Sequence, residues 1–306
     1  MVNYYINLDL TVKREEKRAA IYSSLYGFLV GLLTGIRIGG FFMLFFVFLA
    51  HGLLQVGKGG NRSYKKLGKF VLNYGLMMAA WMVTLYIFHP AAWADPIGWF
   101  FETIGYLSKH PLQIKTLFEG KLYPIQNIPR YFTVKWLLIT VPLIFQIFFV
   151  VGIIWAFKKY RKFSELQQAA LILILLQIFG LLFVAVIRGS SGYDDMRHFM
   201  FILPGMATLA ATAMIWTYQS LSGKKYLQVA AVTFVVIVFA QILNEMIQLH
   251  PYQPVYFNRI SGGLAAAQNR YETDYWGLSL REGMEWLNKN NSQNELILVG
   301  GNLYSA

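Results

Sequence analysis

Residues 19–56 read AAIYSSLYGFLVGLLTGIRIGGFFMLFFVFLAHGLLQV, an apolar run whose one permanent charge is Arg37. As a single helix it would reach about 55 Å at 1.5 Å per residue, nearly twice a bilayer hydrocarbon core of about 30 Å. The run therefore has to fold back on itself. Thr34-Gly-Ile-Arg-Ile-Gly-Gly40 marks the place. Glycines permit the turn, and an arginine held at mid-membrane costs roughly 2.5–3.5 kcal/mol or more. The reading predicts two spans, about 20–36 and 38–56, with Arg37 at a membrane surface between them.

The whole chain has the same character. It holds 306 residues, 56% hydrophobic and 17% aromatic with only 14% charged, a composition too apolar for an ordinary soluble domain and suited to a polytopic membrane protein. There is no cysteine, which excludes a disulfide framework and any thiolate ligand or nucleophile. The formal net charge of +12 sits mostly in short clusters between apolar runs. The positive-inside rule explains that pattern without nucleic acid.

Five further spans are predicted, at about 70–88, 133–157, 166–187, 199–217 and 226–247. The fold class is thus an all-α polytopic membrane protein of about seven transmembrane helices. Met1 to Arg18 is expected to be a short polar leader rather than a cleavable signal peptide. The loop 89–132 is rich in aromatics and prolines, and its Pro96–Leu107 segment suggests an amphipathic helix in the interface. Basic clusters at 13–18, 58–69, 158–162 and 224–225 share one side under this count. The expected topology therefore has a cytoplasmic N-terminus and a tail outside an inner membrane. Residues 1–249 form the membrane region and 250–306 a short, truncated α/β tail on the outer face. In that tail Leu280–Asn288 reads as a helix with Ser279 and Glu282 at capping-box spacing, and Glu295–Val299 as a strand.

Residues 187–204, IRGSSGYDDMRHFMFILP, form a polar hairpin between two apolar runs. Ionisable groups beside a membrane core are expensive and point to function; the plain alternative is a solvated turn. Arginine suits bidentate phosphate binding, and histidine adds a donor. Arg197 and His198, with Arg188 and Arg37 from the same predicted face, are the candidate grip on a lipid phosphate. Tyr193, Asp194, Tyr256, Glu272, Asp274 and Trp276 are candidate substrate contacts, the last three equally readable as anchors of the tail. No metal is expected, because none of the five histidines pairs with another at ligand spacing.

Four segments resemble bacterial family-39-type glycosyltransferases, multi-pass GT-C enzymes related to protein O-mannosyltransferases and aminoarabinose transferases. They are Gly31–Gly40 (GLLTGIRIGG), Phe118-Glu-Gly-Lys121 with Ile128-Pro-Arg-Tyr131, Met196-Arg-His-Phe-Met-Phe-Ile-Leu-Pro204, and His250–Asn258 followed by Tyr271–Ser279 and Arg281–Leu287. The resemblance covers nearly the whole chain. It implies transfer of a sugar from a polyprenyl-phosphate donor to an acceptor at the outer face, with no further cofactor. Arg197 and His198 match its phosphate-holding loop. It also implies an acidic base on an outer loop upstream of Met1, so the chain is expected to be the C-terminal part of such an enzyme and inactive alone. The alternative is a non-catalytic membrane subunit or lipid-binding partner that lacks the acidic loop.

Overall fold

The computed structural model describes residues 2–57, 64–108, 114–188, 196–274 and 277–290. Among these, seven helical stretches are long and apolar enough to cross a membrane: Arg14–Ile36, Ile38–Gln55, Leu67–Phe88, Leu143–Lys162, Glu165–Ile187, Arg197–Ser220 and Lys225–Gln248. The chain is an all-α polytopic membrane protein carrying, among the described residues, one two-stranded sheet. It divides into two compact units, Met1–Pro111 with Lys159–Leu181, and Leu112–Lys158 with Leu182–Ala306.

The first unit is built on α1 (Val2–Ile36), α2 (Phe42–Gly57), α3 (Tyr64–Phe88), the short α4 (Pro96–Ser108) and α7 (Glu165–Leu175). The break between α1 and α2 falls at Arg37, whose backbone is extended at φ −141°. A Cβ on Gly40 would lie 2.8 Å from Leu33 Cγ and 2.9 Å from Thr34 N, so the turn closes this tightly only around glycine. The polar leader does not stand apart: residues 2–18 continue α1 as helix.

Helices α1 and α3 pack through small residues. A Cβ on Gly27 would collide with the Met77 carbonyl oxygen, and one on Gly31 would sit 2.6 Å from Thr84 Cβ. Small residues let two backbones approach where lipid offers no hydrophobic drive for helix association. Thr34, one turn on, donates to Val30 O at 2.7 Å and accepts the Trp81 indole N–H at 3.0 Å. Val30, Leu44, Met77, Trp81 and Leu85 form the buried core around this seam.

The second unit begins with β1 (Lys115–Phe118) and β2 (Lys121–Pro124), antiparallel with Phe118 opposite Lys121. Their two-residue turn has Glu119 at φ +51° and Gly120 at φ +80°, the primed geometry that matches strand twist. Next come α5 (Phe132–Thr140) and α6 (Leu143–Lys159). The single span expected over 133–157 is therefore two helices. Pro142 has no N–H to donate and drives Val141 to an extended ψ of 133°.

Helix α8 (Leu181–Arg188) completes the span that α7 starts, with a π-helical turn at Leu176–Gly180 between them. Helix α9 (Leu203–Ser220) follows a 3-10 turn at Arg197–Ile202, with Pro204 in its first turn, where a missing N–H costs nothing. Gly152 of α6 sits against Leu209 of α9, close enough that a Cβ would lie 2.8 Å from the Leu209 carbonyl carbon. Helix α10 (Lys225–Gln248) has no buried residue.

Tail residues join the second unit's main core. Val255, Phe257, Ala267 and Tyr271 are buried with Phe118, Phe132, Trp136, Met196 and Ile202. Short α11 (Gly263–Ala267) and α12 (Leu280–Asn290) close the described chain. The helix expected at 280–288 is present as α12, and its apolar stripe is unburied, with Trp286 64% exposed. The Ser279–Glu282 capping pair is diverted: Ser279 donates its hydroxyl to Asp274, and Glu282 takes the hydroxyl of Tyr252. A true capping box forms instead at Ser164 and Gln167, which start α7. The strand expected at 295–299 lies outside the described residues.

Candidate functional site

The second unit gathers several polar groups around one aromatic stack. Phe118 sits 5.8 Å from Tyr131, 4.9 Å from Phe132 and 5.8 Å from Tyr271, centroid to centroid. Trp136 lies 5.7 Å from Phe257 and 5.4 Å from Tyr271. An isolated β-bridge joins Phe118 to Tyr271, and Gly120 N donates to Arg270 O at 2.9 Å. Segments far apart in sequence are thereby locked together: 118–121, 131–137 and 255–271.

The Arg197–Ile202 turn belongs to the same body. Met196 is buried, and the Thr140 hydroxyl lies 3.2 Å from its sulfur, which ties the turn to the end of α5. Arg197 and His198 follow directly and are both half-buried. Behind them Ile202 is completely buried and Phe199 and Phe201 pack on the core, so the turn presents its two basic residues from a fixed base.

Beside the stack lies an ionic cluster. Glu119 accepts the Tyr131 hydroxyl at 2.8 Å and pairs with Lys135 at 3.2 Å. The Tyr131 bond, with Lys135 and the nearby Arg270 charge, holds the Glu119 carboxyl below its usual range. The same bond pushes the Tyr131 phenol up. A carboxylate stabilised in its ionised form is a poor proton acceptor, so Glu119 acts as an ionic pin joining the hairpin to α5. Neither Glu119 nor Lys135 nor Arg270 was singled out from the sequence; the signal was a glutamate before glycine in a two-residue turn.

Asn258 is the other missed residue. It is 2% exposed and donates its amide to Leu138 O at 2.7 Å and Val141 O at 2.9 Å. Its oxygen accepts Ser261 N at 3.1 Å. Together with Gln146, it satisfies carbonyls that the end of α5 leaves without helical partners.

The expected site residues distribute as follows. Arg37 is described within the first unit, and Arg197, His198, Tyr256, Glu272 and Asp274 within the second. Arg188 is the last residue of α8. Tyr193, Asp194 and Trp276 lie outside the described residues. Tyr256 has its phenol pushed up by burial and stands near the Glu245–Arg259 pair, which closes at 2.7 Å. Glu272 accepts Leu117 N at 3.4 Å, fastening the tail to β1. Asp274 takes the Ser279 hydroxyl. Among the described residues no group of three His, Asp or Glu side chains is placed to hold a metal ion.

No protein-family profile, curated protein or solved structure matches the chain.

Proposed function

We propose that the chain belongs to an integral-membrane glycosyltransferase that moves a sugar from a polyprenyl-phosphate donor to an acceptor at the outer face of a bacterial inner membrane. One observation carries the reading. Parts of three of the four segments that resemble such enzymes, 118–131, 196–204 and the 250–271 portion of the last, converge in the second unit on the Phe118–Trp136–Tyr271 stack. Segments separated by more than a hundred positions share this core, with the basic pair Arg197–His198 on the turn it supports.

In this reading the bond between the sugar's anomeric carbon and the phosphate oxygen breaks as the acceptor atom attacks that carbon. The electron pair leaves with the polyprenyl phosphate, and the acceptor's proton passes to a general base. Arg197 faces the phosphate with its planar fork and stabilises the charge that grows as the lipid departs. His198 supplies a further donor. Tyr256, Glu272 and Asp274 hold the tail over the core and shape the donor's surroundings. The N-terminus lies in the cytoplasm and the 250–290 segment outside.

A photoreactive polyprenyl-phosphate analogue tests the assignment in membranes that contain the intact protein. Labelling should fall on the peptide that includes 196–204 and be lost in Arg197→Ala. Labelling that ignores this substitution, or falls elsewhere, overturns the assignment.

A further inference from the structure

The first unit contains an apolar groove of about 350 Å³ between α2, α3 and α4. Leu44, Met78, Met82, Leu85, Ile97 and Phe100 are among its walls. We propose that it holds one acyl chain of an anionic phospholipid, a bound lipid separate from any sugar donor. The proposal does not rest on the glycosyltransferase reading.

Length selects the occupant. Along α3 the lining runs from Tyr74 to Tyr86. That is about 18 Å at 1.5 Å per residue, against about 15 Å for half of a hydrocarbon core. The groove therefore matches the depth of one leaflet and one of its chains. A polyprenyl tail that crosses the midplane would find only part of its length covered, and another spanning helix is too wide for the volume.

The groove's end is marked by interfacial chemistry. Helix α4 contributes Ile97, Phe100 and Phe101 to the wall. Its first turn is fixed by Asp95, whose carboxylate accepts Gly98 N at 2.9 Å. Trp93 donates its indole N–H to Tyr86 O at 2.6 Å at the same end, a residue type that favours the headgroup level. Phe41 also lines the groove, and Arg37 stands one 3-10 turn before it, exposed, with its carbonyl accepting Gly40 N at 2.8 Å. Among the described residues this end holds Arg37, His89, Asp95 and Glu102, beside the phenol of Tyr86. Asp95 is committed to its backbone N–H, and Glu102 lies further along α4. Arg37 is the group suited to a lipid phosphate.

Native mass spectrometry of the full chain, released from nanodiscs of mixed phosphatidylglycerol and phosphatidylcholine, reads the proposal directly. One phosphatidylglycerol per chain should survive release. Met82→Trp fills the groove from an exposed lining position and should lower that retention roughly tenfold. Val83→Trp, equally exposed but off the groove, should leave it unchanged. Arg37→Gln should keep a lipid but lose the preference for phosphatidylglycerol. Absence of a retained lipid, equal loss in both tryptophan variants, a headgroup preference indifferent to Arg37→Gln, or a polyprenyl phosphate in the lipid's place would each overturn it. Thermal midpoints of both tryptophan variants separate groove filling from misfolding, and a Met82→Trp chain that melts with the wild type yet retains its lipid also overturns it.

Discussion

Asn258 reaches across more than a hundred residues of sequence to Val141, donating its side-chain amide to the Val141 carbonyl at 2.9 Å where Pro142 has broken the helix. The break and its repair are one device. Proline frees carbonyls at the end of α5, and two amide side chains, Asn258 and Gln146, take up those of Leu138 and Val141.

Asn258→Asp keeps the shape but turns a donor into an acceptor facing two carbonyl oxygens. Gln146 still donates to both carbonyls, so the loss should be about 1–3 kcal/mol from setting a buried acceptor against two carbonyl oxygens. Burial and the facing carbonyls raise the new carboxyl's folded-state pKa. The variant should therefore be less stable at pH 8 than at pH 5, since stability tied to the protonated form is lost as pH rises. Detergent-solubilised thermal unfolding at both pH values checks this, and equal losses at the two would remove the electrostatic argument.

The α1–α3 seam makes opposite predictions for two glycines of the same unit. Gly27→Ala drives a methyl into the Met77 carbonyl, an overpacking worth roughly 1–3 kcal/mol of destabilisation. Gly75, inside α3, has nothing within 4 Å of a built Cβ. Gly75→Ala should stabilise the helix by about 0.5–1 kcal/mol through lower backbone entropy in the unfolded chain. A comparison of midpoints settles it; a harmless Gly27→Ala would mean that the seam is looser than drawn.

Thr34 and Trp81 supply a polar clasp within the same seam. Thr34→Val is nearly isosteric but strips the indole N–H of its acceptor. Interhelical bonds of this kind contribute about 0.6 kcal/mol on average and up to about 1.7 kcal/mol in membranes. Thr34→Ser retains the oxygen and should restore most of the loss. If serine and valine behave alike, the hydrogen bond contributes nothing and packing of the Thr34 methyl is what matters.

Charge and glycine at the Arg37 turn made the first break readable, because a buried arginine is too costly to place anywhere but at a surface. The Pro142 break was not, since 134–150 is apolar apart from Lys135, Thr140 and Gln146, and spanning helices tolerate proline when neighbours re-pair the freed carbonyls. Those neighbours, Gln146 and Asn258, become visible only in three dimensions. The hairpin at 115–124 escaped for a similar reason. Its strands are four residues long, and part of what holds them is Tyr271, remote in sequence. Arg197 and His198 stood out as basic residues flanked by hydrocarbon. Glu119, Lys135 and Arg270 did not, because each is an ordinary surface charge until the fold sets them together.

Glu119 carries two opposing terms, and their sizes decide an order of stability. Its ion pair and Tyr131 bond lie near the surface, where such pairs contribute about 0.2–1 kcal/mol. Its backbone sits at φ +51°, and a side chain in the left-handed region costs roughly 1–2 kcal/mol that glycine avoids. Glu119→Gln should lose the charge and keep the strain, whereas Glu119→Gly should lose both. The expected order at pH 7 places Glu119→Gln below Glu119→Gly. The pH dependence follows from the lowered carboxyl pKa. The wild-type advantage over Glu119→Gln is fully present above about pH 4.3, the ordinary carboxyl value, and fades as pH falls through the depressed folded value. Unfolding midpoints of the three proteins between neutral pH and the acid limit measure both effects. A Glu119→Gln gap that widens in acid would reverse the sign of the linkage, and a glycine variant less stable than the glutamine one would show that the turn stores no strain.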